Sequence, residues 1–194
     1  RQDRTYEDFI RFTGENPDAA ITEMDTLEGT RSDQKVLLTL YIRSFRFMLA
    51  FLMDNQDMEN VLRHFHWLED TLGLELFREL FPVILTDNGG EFADVFTVEN
   101  DLDNTKETSL FFCDPNKANQ KPHVEKDHSM LRDILPKGSS FDNLTQDAVD
   151  VICSHINSVK RKNLNGKSSF EVFAFTFGNE VPVALGILPI PPEE

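Results

Sequence analysis

The spacing of apolar positions changes several times along the chain, and each change marks an element. Ile21 to Leu27 mixes apolar and polar residues at strand length and runs into the turn-like Glu28-Gly29-Thr30-Arg31-Ser32-Asp33, which predicts a first strand. Val36 to Ile42 and Phe47 to Leu52 are β-prone, nearly continuous apolar runs separated by Arg43-Ser44-Phe45-Arg46, two further strands of a meander. The period then turns helical, with Met58, Val61, Leu62, Phe65, Leu68 and Leu72 on one face and Gly73 as the stop. Leu76, Phe77, Leu80 and Phe81 form a short helical turn that Pro82 ends. Val83-Ile84-Leu85 follows as a buried strand and delivers Thr86-Asp87-Asn88-Gly89-Gly90.

From Glu91 to Glu107 there are six acids (Glu91, Asp94, Glu99, Asp101, Asp103, Glu107), one base, Lys106, and little periodicity, so an exposed loop is predicted. Leu110 to Cys113 is another short strand. A helix is expected from near Pro122 to before Pro136, and a second, capped by Thr145, carries Val149, Ile152, Cys153 and Ile156 on its apolar face. Residues 1–20 read as a polar lead-in. Val181 to Glu194, with four prolines, reads as an extended tail, placed at 176–194. Three strands, a helix, a strand, a loop, a strand and then helices predict an α/β fold with a mixed sheet covered on both faces, spanning 21–175.

A length of 194 residues, 40% of them hydrophobic, suits one domain with a large core. The net charge of −15 argues against broad passive binding to nucleic acid or an anionic membrane, so a polyanionic substrate would need local help. Cys113 and Cys153 lie in apolar contexts with no metal-type spacing, which fits a reducing, cytoplasmic setting. No apolar run approaches the roughly 20 residues of a membrane span. The chain opens on Arg1 and not on a methionine, from which a fragment lacking its upstream part is expected.

Three acids stand out. Asp25 sits inside the first strand, Asp87 follows the apolar Val83-Ile84-Leu85 strand, and Glu125 opens the next helix, where Glu125, His128 and Arg132 share a face. Taken singly, they read as a strand-end residue facing water, a plain turn and a solvated helix face with an ion pair. Together they can meet at one point, and clustered carboxylates repel unless cations neutralise them. Oxygen-only ligands suit Mg²⁺ or Mn²⁺, and two such ions about 4 Å apart can activate an attacking oxygen and stabilise a leaving one at a phosphodiester.

The ordered blocks Met24-Asp25-Thr26-Leu27-Glu28-Gly29, Lys35 to Leu40, Phe81 to Phe92, Phe112-Cys113-Asp114-Pro115, Val124 to His128, Leu131-Arg132, Leu135 to Gly138, Asn143 to Gln146, His155 to Asn157, Leu164 to Lys167 and Glu171 to Phe173 resemble transposases of the bacterial insertion-sequence-thirty type. The resemblance implies a ribonuclease-H-like integrase core: three antiparallel strands and two shorter parallel ones, flanked by helices. It also implies a catalytic triad of Asp25, Asp87 and Glu125 holding two Mg²⁺ or Mn²⁺ ions, for DNA cleavage and strand transfer between transposon ends and a target. Arg132 fits the family's basic residue after the glutamate, as a phosphate contact. His128 lies on the same face, as a helper or as a structural histidine. Asn88 and Gly89 match the turn presenting the second aspartate.

The chain departs from many members at Lys121-Pro122-His123-Val124-Glu125-Lys126, where they carry Gly-Thr-Asn-Glu-Asn, and at Val159-Lys160-Arg161-Lys162, where they carry Pro-Arg-Lys. Lys160, Arg161, Lys162 and Lys167 form the densest positive segment, read as DNA contact against the plainer reading of a charged helix end. The family further implies a homo-oligomer, an upstream helix-turn-helix domain, action at the bacterial nucleoid and no membrane. The rival readings are a catalytically silent module of the same fold and a plain nuclease.

Overall fold

A computed structural model describes residues 3–192. Helix α1 (Tyr6–Glu15) precedes strands β1 (Ile21–Glu28), β2 (Val36–Ile42) and β3 (Phe47–Met53). Helices α2 (Met58–Leu72) and α3 (Leu74–Leu80) lead to β4 (Val83–Thr86), and α4 (Val95–Glu99) to β5 (Ser109–Phe112). Then come α5 (Pro122–Ile134), α6 (Gln146–Ser158), a two-stranded ribbon of β6 (Lys160–Arg161) and β7 (Lys167–Ser168), α7 (Ser169–Phe177) and α8 (Glu180–Ala184).

Five strands form one sheet in the order β3-β2-β1-β4-β5. The first three pair antiparallel, and β4 and β5 run parallel to β1, the mixed sheet that the apolar pattern predicts and the strand directions that the family resemblance implies. Parallel neighbours need crossovers, and α2 with α3, then α4, supply them. β2 is buried along its whole length, which explains its unbroken apolar run. Ile84, Leu110 and Phe112 join the large core with Phe65, Val124 and Phe173. Val83, Leu85 and Phe111 turn the other way, onto Phe9 of α1.

Four expectations need correction. The lead-in contains α1, closed by a Thr5–Asp8 capping box and packed through Phe9. The acidic 91–107 stretch is not a solvated loop: it holds α4, and Glu91, Glu99 and Glu107 are buried. Arg4 and the Leu110 amide bind Glu99, which offsets its burial, and Arg78 binds Glu107 Oε1 at 3.0 Å while Glu107 Oε2 stays buried without a partner among the described residues. The tail is not extended at its start, because Pro182 falls in the first turn of α8, where proline is tolerated, and Leu185 and Ile187 are buried. No helix was foreseen over the Glu171-Val172-Phe173 block, yet α7 spans it behind a Ser168–Glu171 capping box. The first two and last two residues of the predicted lead-in and tail lie outside the described residues. Among the described residues, no helix is long and apolar enough to cross a membrane.

Candidate active site

Asp25 lies on β1, the central strand, opposite Thr39 of β2. The parallel pairing aligns Glu23 with Leu85, and two residues further on the same register sets Asp25 level with Asp87. Asp87 therefore directly follows β4, and Asp25 stands beside it on β1, just past the last residue that pairs with β4. The Thr26 amide donates to Asp25 Oδ1 at 2.9 Å. The Gly89 amide donates to Asp87 Oδ1 at 3.0 Å, an Asx-type turn that fixes the second carboxylate. Asn88 Nδ2 donates to the Cys113 carbonyl at 2.7 Å and ties the ends of β4 and β5 together. Gly89 has no room for a side chain, because a Cβ there would stand 2.4 Å from Glu91 Oε2. That carboxylate is buried and accepts from Thr26 Oγ1 at 3.1 Å and Gln56 Nε2 at 2.7 Å.

The third acid arrives on α5. Its first turn offers backbone amides that nothing inside the helix can satisfy. Lys121, the cap residue, makes no side-chain cap bond. Glu23 of β1 serves instead: its Oε2 accepts from the His123 amide at 3.1 Å and the Val124 amide at 2.7 Å, while Arg43 Nε donates to its Oε1 at 2.8 Å. The strand bearing Asp25 thus pins the start of the helix bearing Glu125. Down the same helix, His128 Nε2 and Thr39 Oγ1 are 2.8 Å apart, and Thr39 donates to the Asp25 carbonyl at 3.2 Å. Burial pushes the His128 imidazole below its ordinary pKa, the adjacent Asp25 charge opposing this. Arg132 Nη2 donates to the Glu28 carbonyl at 2.7 Å, and its guanidinium lies 5.9 Å from the centre of the Phe141 ring.

Asp25, Asp87 and Glu125 all line one open cavity of about 440 Å³. Asp25 and Asp87 come together around a shared cation, whereas Glu125 is exposed on the cavity wall and pairs with no cation among the described residues. Among those residues no three histidine, cysteine or acidic side chains converge closely enough to hold a metal ion. The shared cation is Lys121. Its Nζ stands 3.1 Å from Asp25 Oδ2 and 3.9 Å from Asp87 Oδ2, and it donates to the Met24 carbonyl at 3.1 Å. Sequence reasoning assigned no role to Lys121 or to Glu23. The available signals were a lysine one helical turn before Glu125 and an acid two residues before Asp25 on the same strand. Cys113 lines the same cavity, and burial pushes its thiol up to about 12, so it is no nucleophile at neutral pH.

The positive segment lies elsewhere. Lys160 Nζ pairs with Glu171 at 2.6 Å. Arg161 is engaged by buried Asp127 through two contacts of 3.3 Å. Lys167 sits 5.8 Å from the centre of the Phe175 ring, and Lys162 is exposed. None of the four lines the carboxylate cavity.

No protein-family model matches the chain. It is 29% identical over 151 residues, 78% of its length, to the ORF3 integrase of Spiroplasma virus SpV1-R8A2 B, covering 44% of that protein. It is 27% identical over 152 residues, 77% of its length, to the transposase InsI for insertion sequence element IS30C of Escherichia coli strain K12, covering 37% of it. The chain thus spans less than half the length of these relatives. Among solved structures, the catalytic core domain of BIV integrase superposes with a TM-score of 0.57 at 16% identity, over 82% of this chain and 97% of that one. The catalytic core domain of HTLV-2 integrase in complex with magnesium gives 0.52 at 14%, over 78% and 94%. Over about 77% of its length the chain is homologous to insertion-sequence transposases and integrases, and its fold is the ribonuclease-H-like integrase catalytic core.

Proposed function

We propose that these residues form the catalytic core of a DNA transposase, which cuts DNA strands and joins the freed 3′-hydroxyl to a target phosphodiester. The observation that carries this reading is the meeting of Asp25 of β1 and Asp87, which follows β4, around one positive charge, on the wall that Glu125 also lines. A fold alone does not specify chemistry; two carboxylates held so close that they share a cation do favour it. Their all-oxygen donor set suits Mg²⁺ or Mn²⁺. Asp25 and Asp87 would hold two such ions, with Glu125 completing the set. When bound, the ions would lower the pKa of the attacking oxygen and neutralise charge on the leaving one.

The remaining work falls to the chain itself. Glu23 and Thr39 fix the helix and strand that present the carboxylates, and the Gly89 amide orients Asp87. Cleavage uses water and joining uses the 3′-hydroxyl; each oxygen attacks phosphorus as the bridging oxygen leaves. His128, whose pKa burial pushes below its ordinary value, would act through its bond to Thr39. Arg132 and the exposed Lys162 and Lys167 would steady phosphates, a role that sets position and not sequence. Selection of element ends belongs in this reading to a helix-turn-helix unit outside these residues, and pairing of two ends to a homo-oligomer acting on the bacterial nucleoid in the cytoplasm.

The test is a product assay with labelled duplex DNA and Mg²⁺ or Mn²⁺, run on the native chain, Asp87→Asn and Glu125→Gln. Native protein is expected to yield shortened strands and longer, joined ones, and both variants neither. Shortened strands alone would identify a plain nuclease. No metal-dependent product from the native chain would leave a silent module of the same fold.

A further inference from the structure

Lys121 is a lysine with almost no solvent contact, 3% exposed, in a place where burying an ammonium is costly unless oxygens surround it. Three do: the Met24 carbonyl and Asp25 Oδ2 at 3.1 Å, and Asp87 Oδ2 at 3.9 Å. All belong to β1 or to the turn after β4, whereas Lys121 itself opens α5. Its charge thus stands between the two aspartates, the place an ion held by both would need. Two cations that close repel strongly where water is scarce. The lysine stem has four flexible bonds, and the cavity beside it is open and bears Asp114 and Glu125, so the ammonium has somewhere to go.

We infer that Lys121 is the resident counter-ion of the carboxylate pair, holding Asp25 and Asp87 side by side without metal and leaving the gap between them when a divalent ion enters. The inference rests on the metal-site reading above. Metal affinity is then set against the lysine. The site assembles fully, with Glu125 drawn in, only when the metal displaces that charge, which accounts for two acids meeting here and the third standing apart.

The experiment is a calorimetric Mn²⁺ titration of the native chain, Lys121→Gln, Lys121→Met, Lys121→Arg and Asp87→Asn, with metal-free melting recorded for each. Loss of the charge is expected to tighten Mn²⁺ binding at least about tenfold in the Gln and Met variants and to lower their metal-free melting temperatures. Gln keeps a hydrogen-bond donor at this position, and the metal-free melting of each variant shows whether it folds. Lys121→Arg keeps the charge and should bind no more tightly than native. Unchanged or weaker binding in the Gln and Met variants, or equal tightening in Lys121→Arg, overturns the counter-ion role while leaving the metal site standing. Binding that survives Asp87→Asn, or none in any protein, overturns the site and the inference together.

Discussion

At the scale of single residues, this fold commits many charged and polar side chains to its interior. Glu23 is wholly buried, and it is affordable there because Arg43 and two helix amides fill its lone pairs. His64 is less well served. It stacks on Phe51 with ring centres 5.0 Å apart, and its Nε2 is buried without a partner. Burial, aided by neighbouring Arg63, holds its pKa below the ordinary 6.5. A histidine depressed in the folded state contributes stability that is present above its unfolded pKa and lost as pH falls through its folded one. The melting temperature should therefore drop as pH falls from about 7.5 to 5.5, since the unfolded chain binds more protons in that window. His64→Phe keeps the stacking and removes the titration, so a melting series in both proteins should give the variant a shallower drop; parallel curves would refute this role for His64. The three candidate acids stood out in the chain because one lies inside a strand, one directly follows an apolar strand and one opens a helix, in blocks that resemble a known family. Lys121 and Glu23 did not, because a buried charge and a solvated one look alike in sequence, and their partners lie on other elements far along the chain.

At the scale of elements, the sheet must manage β3, which lies at its edge and would offer unpaired amides and carbonyls to another chain. Helix α6 covers it with two carboxamides. Asn157 accepts from the Met48 amide at 2.9 Å and donates to the Met48 carbonyl at 2.8 Å; Gln146 does the same for the Leu52 amide at 2.7 Å and the Ala50 carbonyl at 3.0 Å. Asn157→Ala leaves two buried backbone groups without partners and should cost roughly 2–4 kcal/mol, counting about 1–3 for each group with partial relaxation. Denaturant unfolding checks this, and a loss under about 0.5 kcal/mol, the range of an ordinary surface change, would count against it. Strands and long helices were readable because their apolar periods are strong. Helices α1, α4 and α8 are short or polar and are held by contacts distant in sequence, such as Arg4 with Glu99 and the burial of Leu185 and Ile187. Their local patterns suggest a lead-in, a solvated loop and a proline-rich tail.

At the scale of the whole molecule, a chain with net charge −15 handles a polyanion only if its charge is reversed at the point of contact. The acids divide between two tasks. Several, including Glu91, Glu99 and Asp127, are buried and engaged by hydrogen bonds or ion pairs and belong to the scaffold. Asp25, Asp87 and Glu125 line a cavity where a divalent metal would turn local repulsion into attraction for phosphate. Everything proposed about DNA chemistry depends on that metal site. The most direct measurement is thermal melting of the native chain and of Asp87→Ala, each with and without millimolar Mn²⁺. A ligand that binds only the folded state must stabilise it, by about 2.7 kcal/mol at a hundred times its dissociation constant. A rise in melting temperature for the native chain that Asp87→Ala abolishes is the expected result; an equal rise in both proteins, or a rise in neither, would contradict a metal site built on these carboxylates.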